Sequence, residues 1–205
     1  RHHTEDFSIT ELQDIVEYAH ADHCGGNAYL KEETGAAVYA PELEASIITN
    51  PYLEPLYLFS GAAPPDELQN KFLMAEPSAV DEIIDSKQDQ LELNNKRLAV
   101  VSLPGHTPNQ IGVGVEGVLF CADALLAPEV IKKHKVPFMV DVGRQKATLD
   151  RLAESDYDYY LPAHGEVVES VEELIAANRE IIGEIEKFLL GLLANRRSTE
   201  EVIRE

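Results

Sequence analysis

Positive charge is scarce in this chain. Its 205 residues carry 17 Lys and Arg against 37 Asp and Glu, a formal net charge of −20 at pH 7. A phosphate backbone or an anionic lipid surface demands the opposite sign, so neither a nucleic acid nor a membrane is an expected partner. Long apolar runs are lacking too: none reaches the length of a bilayer span, and the amino terminus shows no signal-peptide pattern. Cysteine is almost absent, at two residues. Cys24 and Cys121 are expected to be reduced, buried thiols of a cytoplasmic protein; the alternative is a thiolate ligand or a redox pair. What the chain does have is a 44% hydrophobic content, sufficient for one sizeable core, and its length favours one domain.

Punctuation by glycine and proline organises the rest. The segment Thr10 to Tyr18 holds Ile15-Val16, a short apolar step expected to be a strand. Asn27 to Glu33 reads as a helix with Ala28, Tyr29 and Leu30 inward, stopped by Gly35, and Ala36 to Tyr39 as a buried strand. Pro41 opens a helix through Ile48, which Asn50-Pro51 ends. From Pro51 to Pro77 five prolines and few periodic signals predict a loop or short-helix excursion that walls a pocket or simply lies on the surface. Val80 to Ile84, Asp89 to Leu93 and Leu98 to Leu103 read as strands, with Asn94-Asn95 a turn. Ile111 to Val115 and Val118 to Phe120 flank Glu116-Gly117 as a hairpin. Ala127 to His134 and Arg144 to Ala153 read as helices, and Asp158 to Leu161 as a strand with Tyr159 facing opposite to Tyr160. His134 is expected on a solvated face, and so are Lys132, Lys133, Lys135 and Arg144, for which the alternative is lining a site for an anionic substrate.

The carboxy-terminal pattern is the strongest. Ser170 with Glu173 predicts a capping box, followed by an apolar stripe from Val171 to Leu193 that packs against a sheet. Ser198 with Glu201 predicts a second cap.

Chemistry concentrates in Tyr18-Ala19-His20-Ala21-Asp22-His23-Cys24-Gly25-Gly26-Asn27. Two imidazoles and a carboxylate lie within four residues, and these are ligands suited to zinc or iron. Three more candidates follow far downstream: His106 in Leu-Pro-Gly-His-Thr-Pro, Asp123 in Leu-Phe-Cys-Ala-Asp-Ala-Leu, and His164 in Leu-Pro-Ala-His-Gly. His2 and His3 are treated as solvated terminal residues.

This set, in this order, resembles the metal-ligand motifs of the metallo-β-lactamase superfamily over roughly Thr10 to Leu193. The resemblance implies an α/β fold, a four-layer αββα sandwich, and metal ligands His20, Asp22, His23, His106, Asp123 and His164. It assigns His20 and His106 to a first metal site, Asp22, His23 and His164 to a second, and Asp123 to both. Asp22 would also orient the nucleophile as a catalytic residue. One or two zinc ions per chain are implied, with iron or manganese as other candidates, because divalent cations acidify water and polarise a scissile oxygen. The implied activity is hydrolysis of a small ester, thioester, lactone or β-lactam.

The chain departs from the family pattern at Tyr18, which stands where the first histidine belongs, and at Glu17, where the family often has a small hydroxyl residue. Either the phenolate ligates, or water fills the place, or only the second site is occupied. The rival expectation is therefore a member with a degenerate first site, serving as a non-catalytic binding or regulatory module. Only seventeen residues precede Tyr18, fewer than the family's leading strands need, so the sandwich is expected to be incomplete at its amino terminus, the chain a fragment or a homodimer covering the open face. Residues 1–195 are expected to form the domain, and 196–205 the start of a truncated helical extension.

Overall fold

Three short parallel strands precede the first hairpin of the chain. In this computed structural model, which describes residues 12–204, β1 (Gln13–Ile15), β2 (Ala37–Pro41) and β3 (Glu82–Ile84) form a sheet in the order β1-β2-β3. Ile15 stands opposite Tyr39, and Tyr39 opposite Glu82. In β2 the buried Val38 and Ala40 alternate with less buried neighbours, as a strand with one core face requires. The crossovers between these strands carry α1 (Ala21–Cys24), α2 (Asn27–Thr34), α3 (Glu42–Thr49) and α4 (Leu53–Leu58). Gly35 ends α2 with a φ of 69°, a conformation glycine adopts without a Cβ penalty. Val16, Ala19, Cys24, Val38, Ala40, Ala45 and Ile48 make one buried apolar cluster.

The antiparallel pair β4 (Gln90–Leu93) and β5 (Lys96–Ser102) turns at Asn94-Asn95, whose φ values of 51° and 62° suit a tight hairpin turn. Strand β6 (Ile111–Val115) is buried at four consecutive positions, so its apolar run shows no alternation. It turns through Glu116-Gly117, both at positive φ, into β7 (Val118–Ala122), which pairs in parallel with β8 (Tyr159–Pro162). Helices α5 (Pro128–His134), α6 (Val142–Ala153), α7 (Glu172–Leu192) and α8 (Thr199–Ile203) complete the described chain.

The chain divides into two compact units. The first contains the described residues up to Ser102 together with Asn109–Val113; the second contains Leu103–Pro108 and everything described from Gly114 onward. Within the second, Asn178 on α7 both accepts from the Leu126 amide at 3.2 Å and donates to the Leu126 carbonyl at 2.8 Å. That pair clamps the buried segment Ala124 to Ala127 to the helix.

Three sequence expectations are corrected. Tyr29 is 69% exposed, not inward; Asn27 is the buried residue of α2. Ser170 does not cap α7: the helix starts after Val171, and the Ser170 hydroxyl accepts only from the Glu172 amide at 3.3 Å. The apolar stripe of α7 is buried from Leu174 to Ile182 but exposed at Phe188, Leu189 and Leu193. The second cap is present as expected, with Ser198 and Glu201 in a reciprocal capping box. Tyr160 is buried and Tyr159 is 43% exposed, as strand alternation requires, and His134 and Lys132, Lys133 and Lys135 are exposed. Among the described residues no helix is long and apolar enough to cross a membrane. The expectations for His2, His3 and the rest of residues 1–11, and for Glu205, lie outside the described residues.

Candidate metal centre

The first unit presents three of the expected ligands on one short turn. Strand β1 leads through Val16 to Ala19, and His20 then stands at the N-cap of α1 with extended backbone angles of −67° and 147°. The His20 carbonyl accepts from the His23 and Cys24 amides at 2.9 and 3.0 Å, which puts His20, Asp22 and His23 on a single helical turn. Asp22 projects outward with its side chain 61% exposed, while His23 is at 13%; His23 Nε2 lies 3.9 Å from Asp22 Oδ2. Tyr18 is fully buried. Its ring packs against both imidazoles, 4.1 Å from the His23 ring centroid and 4.9 Å from that of His20.

Two carboxylates that the sequence did not single out support this turn. Glu44 on α3 is fully buried and accepts from the Ala19 amide with Oε2 and from the Asn109 amide with Oε1, both at 3.0 Å. Glu54 on α4 is 3% exposed, and its Oε1 lies 3.6 Å from His20 Nε2. Burial pushes the Glu54 carboxyl up to about 8, with the negative charges of Glu44 and Asp22 adding to the shift. No local pattern marks either glutamate; both sit on helices whose other residues read as ordinary amphipathic sequence. Only the excursion of residues 51–77, flagged as covering something, hinted at Glu54.

The second unit holds the other three expected ligands, with the two imidazoles of His106 and His164 beside the Asp123 carboxylate. Asp123 follows β7, whose last residue Ala122 has a φ of 48°, a left-handed conformation that costs a non-glycine residue about 1 kcal/mol. The strand register shifts between Phe120 and Ala122 as well, so the chain bends where Asp123 must leave the sheet. Asp123 Oδ2 lies 3.6 Å from His106 Nε2 and 3.9 Å from His164 Nε2. Among the described residues the buried Oδ1 of the same carboxylate has no hydrogen-bond partner.

His106 is held in one tautomer. Its Nδ1 lies 3.0 Å from the Phe138 carbonyl; since a carbonyl only accepts, Nδ1 carries the proton and Nε2 keeps a lone pair facing Asp123. The turn that delivers His106 depends on Gly105, at a φ of 143°, where a Cβ would sit 2.5 Å from the Gln145 Cα. Gln145 on α6 also donates to the Ala124 carbonyl at 2.9 Å, beside Asp123. His164 follows β8 and is 45% exposed; the Ala163 amide ahead of it bonds the Ala122 carbonyl at 3.0 Å.

This donor set suits a borderline divalent cation. Two imidazoles flank a carboxylate that, among the described residues, has one orphaned, buried oxygen, and a buried polar atom without a partner calls for an ion or water. The cysteines are not part of it. Both are free and buried, and burial pushes each thiol up to about 12, so neither supplies a ready thiolate.

A family model described as metallo-beta-lactamase superfamily matches residues 19–164. The chain is 29% identical over 119 residues to a hydroxyacylglutathione hydrolase of Shewanella oneidensis, covering 55% of this chain and 34% of that protein. It is 28% identical over 140 residues to a hydroxyacylglutathione hydrolase of Thiobacillus denitrificans, covering 68% of this chain and 41% of that protein. The chain thus spans well under half the length of these curated relatives. Among solved structures, a metallo-beta-lactamase family protein from Thermus thermophilus superposes with a TM-score of 0.69 at 23% identity, over 91% of this chain and 65% of that one. A second solved structure, of a protein in a di-iron-bound form, superposes with a TM-score of 0.54 at 22% identity, over 83% and 75% of the two chains. These likenesses show an α/β fold of the kind expected.

Proposed function

The chain belongs to the metallo-beta-lactamase superfamily, and from that premise we propose that it is a metal-dependent hydrolase of a small thioester or ester. His20, Asp22, His23, His106, Asp123 and His164 supply the ligands for one or two cations, zinc first, with iron and manganese as the other candidates. The observation that carries the proposal is Asp123, its Oδ2 facing both His106 Nε2 and His164 Nε2 while Oδ1 lies buried and unbonded. The two curated relatives are named for hydrolysis of hydroxyacylglutathione, a thioester, and they favour that class over lactones and β-lactams. A small-molecule substrate and a cytoplasmic location belong to this reading, and two free, buried thiols are in keeping with the latter.

A bound divalent cation supplies Lewis acidity toward the acyl oxygen and acidifies water. The residues do the rest. Asp22, with its side chain largely exposed on the first turn of α1, accepts a hydrogen bond from the attacking water, takes its proton, and returns it to the departing thiolate. The Phe138 carbonyl keeps His106 protonated at Nδ1, so that its other nitrogen keeps a lone pair for ligation.

Tyr18 favours a second reading, in which the first site is degenerate and the protein is a non-catalytic binding module. Elemental analysis of the metal-reconstituted chain, with turnover measured on a panel of thioesters, esters, lactones and β-lactams, separates the two. Bound metal with thioester turnover above that of free metal is the expected result. A metal-free chain without turnover rejects the hydrolase.

A further inference from the structure

Among the described residues, Glu54 is a buried carboxylate beside the His20 turn that accepts no hydrogen bond and has one ion-pair partner. Its neighbour Glu44 spends both oxygens on backbone amides. Glu54 has a side chain only 4% exposed, and among the described residues its ion-pair partner is His20 alone. A carboxylate held in so dry a place without hydrogen bonds is costly unless a cation or proton neutralises it.

The spacing distinguishes the two. Glu54 Oε1 and His20 Nε2 are 3.6 Å apart, beyond hydrogen-bond range. Two donors that share an ion at about 2.0–2.2 Å each, with a near-tetrahedral angle between them, stand about 3.3–3.6 Å apart. The second unit shows the same separation, 3.6 Å between His106 Nε2 and Asp123 Oδ2, in a pair that family membership independently marks as ligands. Meanwhile Tyr18 fills the position of the missing histidine with a fully buried ring.

We propose that Glu54 is a metal ligand, sharing one divalent cation with His20 and replacing the imidazole that Tyr18 displaces. The donor set of that site thereby changes from imidazole-rich to carboxylate-bearing. Binding takes the Glu54 carboxylate in its charged form and a neutral His20, so any proton on either group leaves as the ion enters. This proposal rests on the metal-dependent reading above and adds to it a ligand outside the sequence motifs.

The test titrates Zn²⁺ into the chelator-stripped full chain and counts zinc by elemental analysis, for the wild type and for Glu54→Gln. Cobalt substitution adds a visible spectrum that reports the ligand set. Glu54→Gln is expected to lose one equivalent, or to bind it at least tenfold more weakly, with a changed cobalt spectrum, while the metal-free melting temperature stays close to that of the wild type. If Glu54→Gln fails to fold, Glu54→Asp takes its place; one methylene shorter, it is expected to weaken the same equivalent at least tenfold. A wild type that binds zinc, with a variant matching it in count, in affinity within threefold and in spectrum, overturns the role of Glu54 alone. A wild type that takes up no zinc and no cobalt overturns the metal-dependent reading together with it.

Discussion

The carboxylate of Glu44 receives the backbone amide of Ala19 at 3.0 Å, one residue ahead of His20. Its second oxygen receives the Asn109 amide at the same distance. A single fully buried side chain therefore satisfies two backbone donors and fixes the point from which α1 starts. Glu44→Ala leaves both amides unpaired; at about 1–3 kcal/mol for each orphaned group, the expected loss is about 2–6 kcal/mol. Glu44→Gln, which offers one acceptor in place of two, is expected to lose about half as much. Urea unfolding of the two variants checks this, and equal stabilities for wild type and Glu44→Ala would refute it.

Glu44 also marks the boundary of what the sequence reveals. Five of the six ligand candidates are legible because each sits at a helix start or in a glycine- or proline-bearing turn, and Asp123 because it closes an apolar run, signatures that can be read without knowing the fold. Glu44, Glu54, Gln145 and Asn178 are not legible, since the partners that give them their roles lie 21 to 65 residues away in the chain and only the folded backbone brings them there. Elements with a strong local code came through: the turn at Asn94-Asn95, the stop at Gly35 and the cap at Ser198. Periodicity misled where it was pushed into side-chain direction. Tyr29 has the right spacing to be inward but is exposed, and the stripe on α7 continues past Ile182 onto residues that lie open. Apolar spacing says which side chains share a face, not how far along a helix that face is covered.

Asp123 is the residue whose loss tells most about the centre. Its Oδ2 faces two imidazoles and its Oδ1 is buried without a partner, so the carboxylate contributes little to the metal-free fold. Asp123→Asn keeps the shape and removes the charge. The expected result is loss of at least one metal equivalent and a fall in thioester turnover of about 100-fold or more, with a metal-free melting temperature close to that of the wild type. Full metal content in Asp123→Asn would remove it from the ligand set.

Gly105 is required by space as well as by backbone angle. At a φ of 143° an added Cβ would meet Gln145 at 2.4 Å from Oε1 and 2.5 Å from Cα. The Cα cannot swing away as a side chain can, so α6 or the turn must shift. Combining a strained backbone conformation with overpacking, Gly105→Ala is expected to cost about 2–5 kcal/mol. The Val140 and Asp141 amides both bond the Gly105 carbonyl, so the shift would reach the Phe138 carbonyl that holds His106. Gly105→Ala is therefore expected to weaken metal binding as well as the fold. A folded variant with wild-type zinc affinity and stability would contradict this.

Asp81 gives a pH dependence independent of any metal. Its Oδ2 bonds Lys31 and accepts from the Val38 amide at 2.7 Å, while its own amide donates to the Val38 carbonyl, tying the approach to β3 onto β2. The Lys31 hydrogen bond, followed by that of the Val38 amide, holds the Asp81 carboxyl below its ordinary value of 3.8. A lowered folded pKa means the unfolded chain binds the proton first as pH falls. The stabilisation is thus complete above the ordinary carboxylate range and disappears as the pH drops through the folded pKa. The side chain is 41% exposed, so solvent screening keeps the effect below about 1 kcal/mol. Asp81→Asn is expected to be less stable than the wild type at pH 7 by that small margin, with the gap closing below pH 4. Urea midpoints for both proteins across that range decide it: a gap that stays constant into acid would mean that the charge on Asp81 contributes nothing and the Val38 bond alone does the tying.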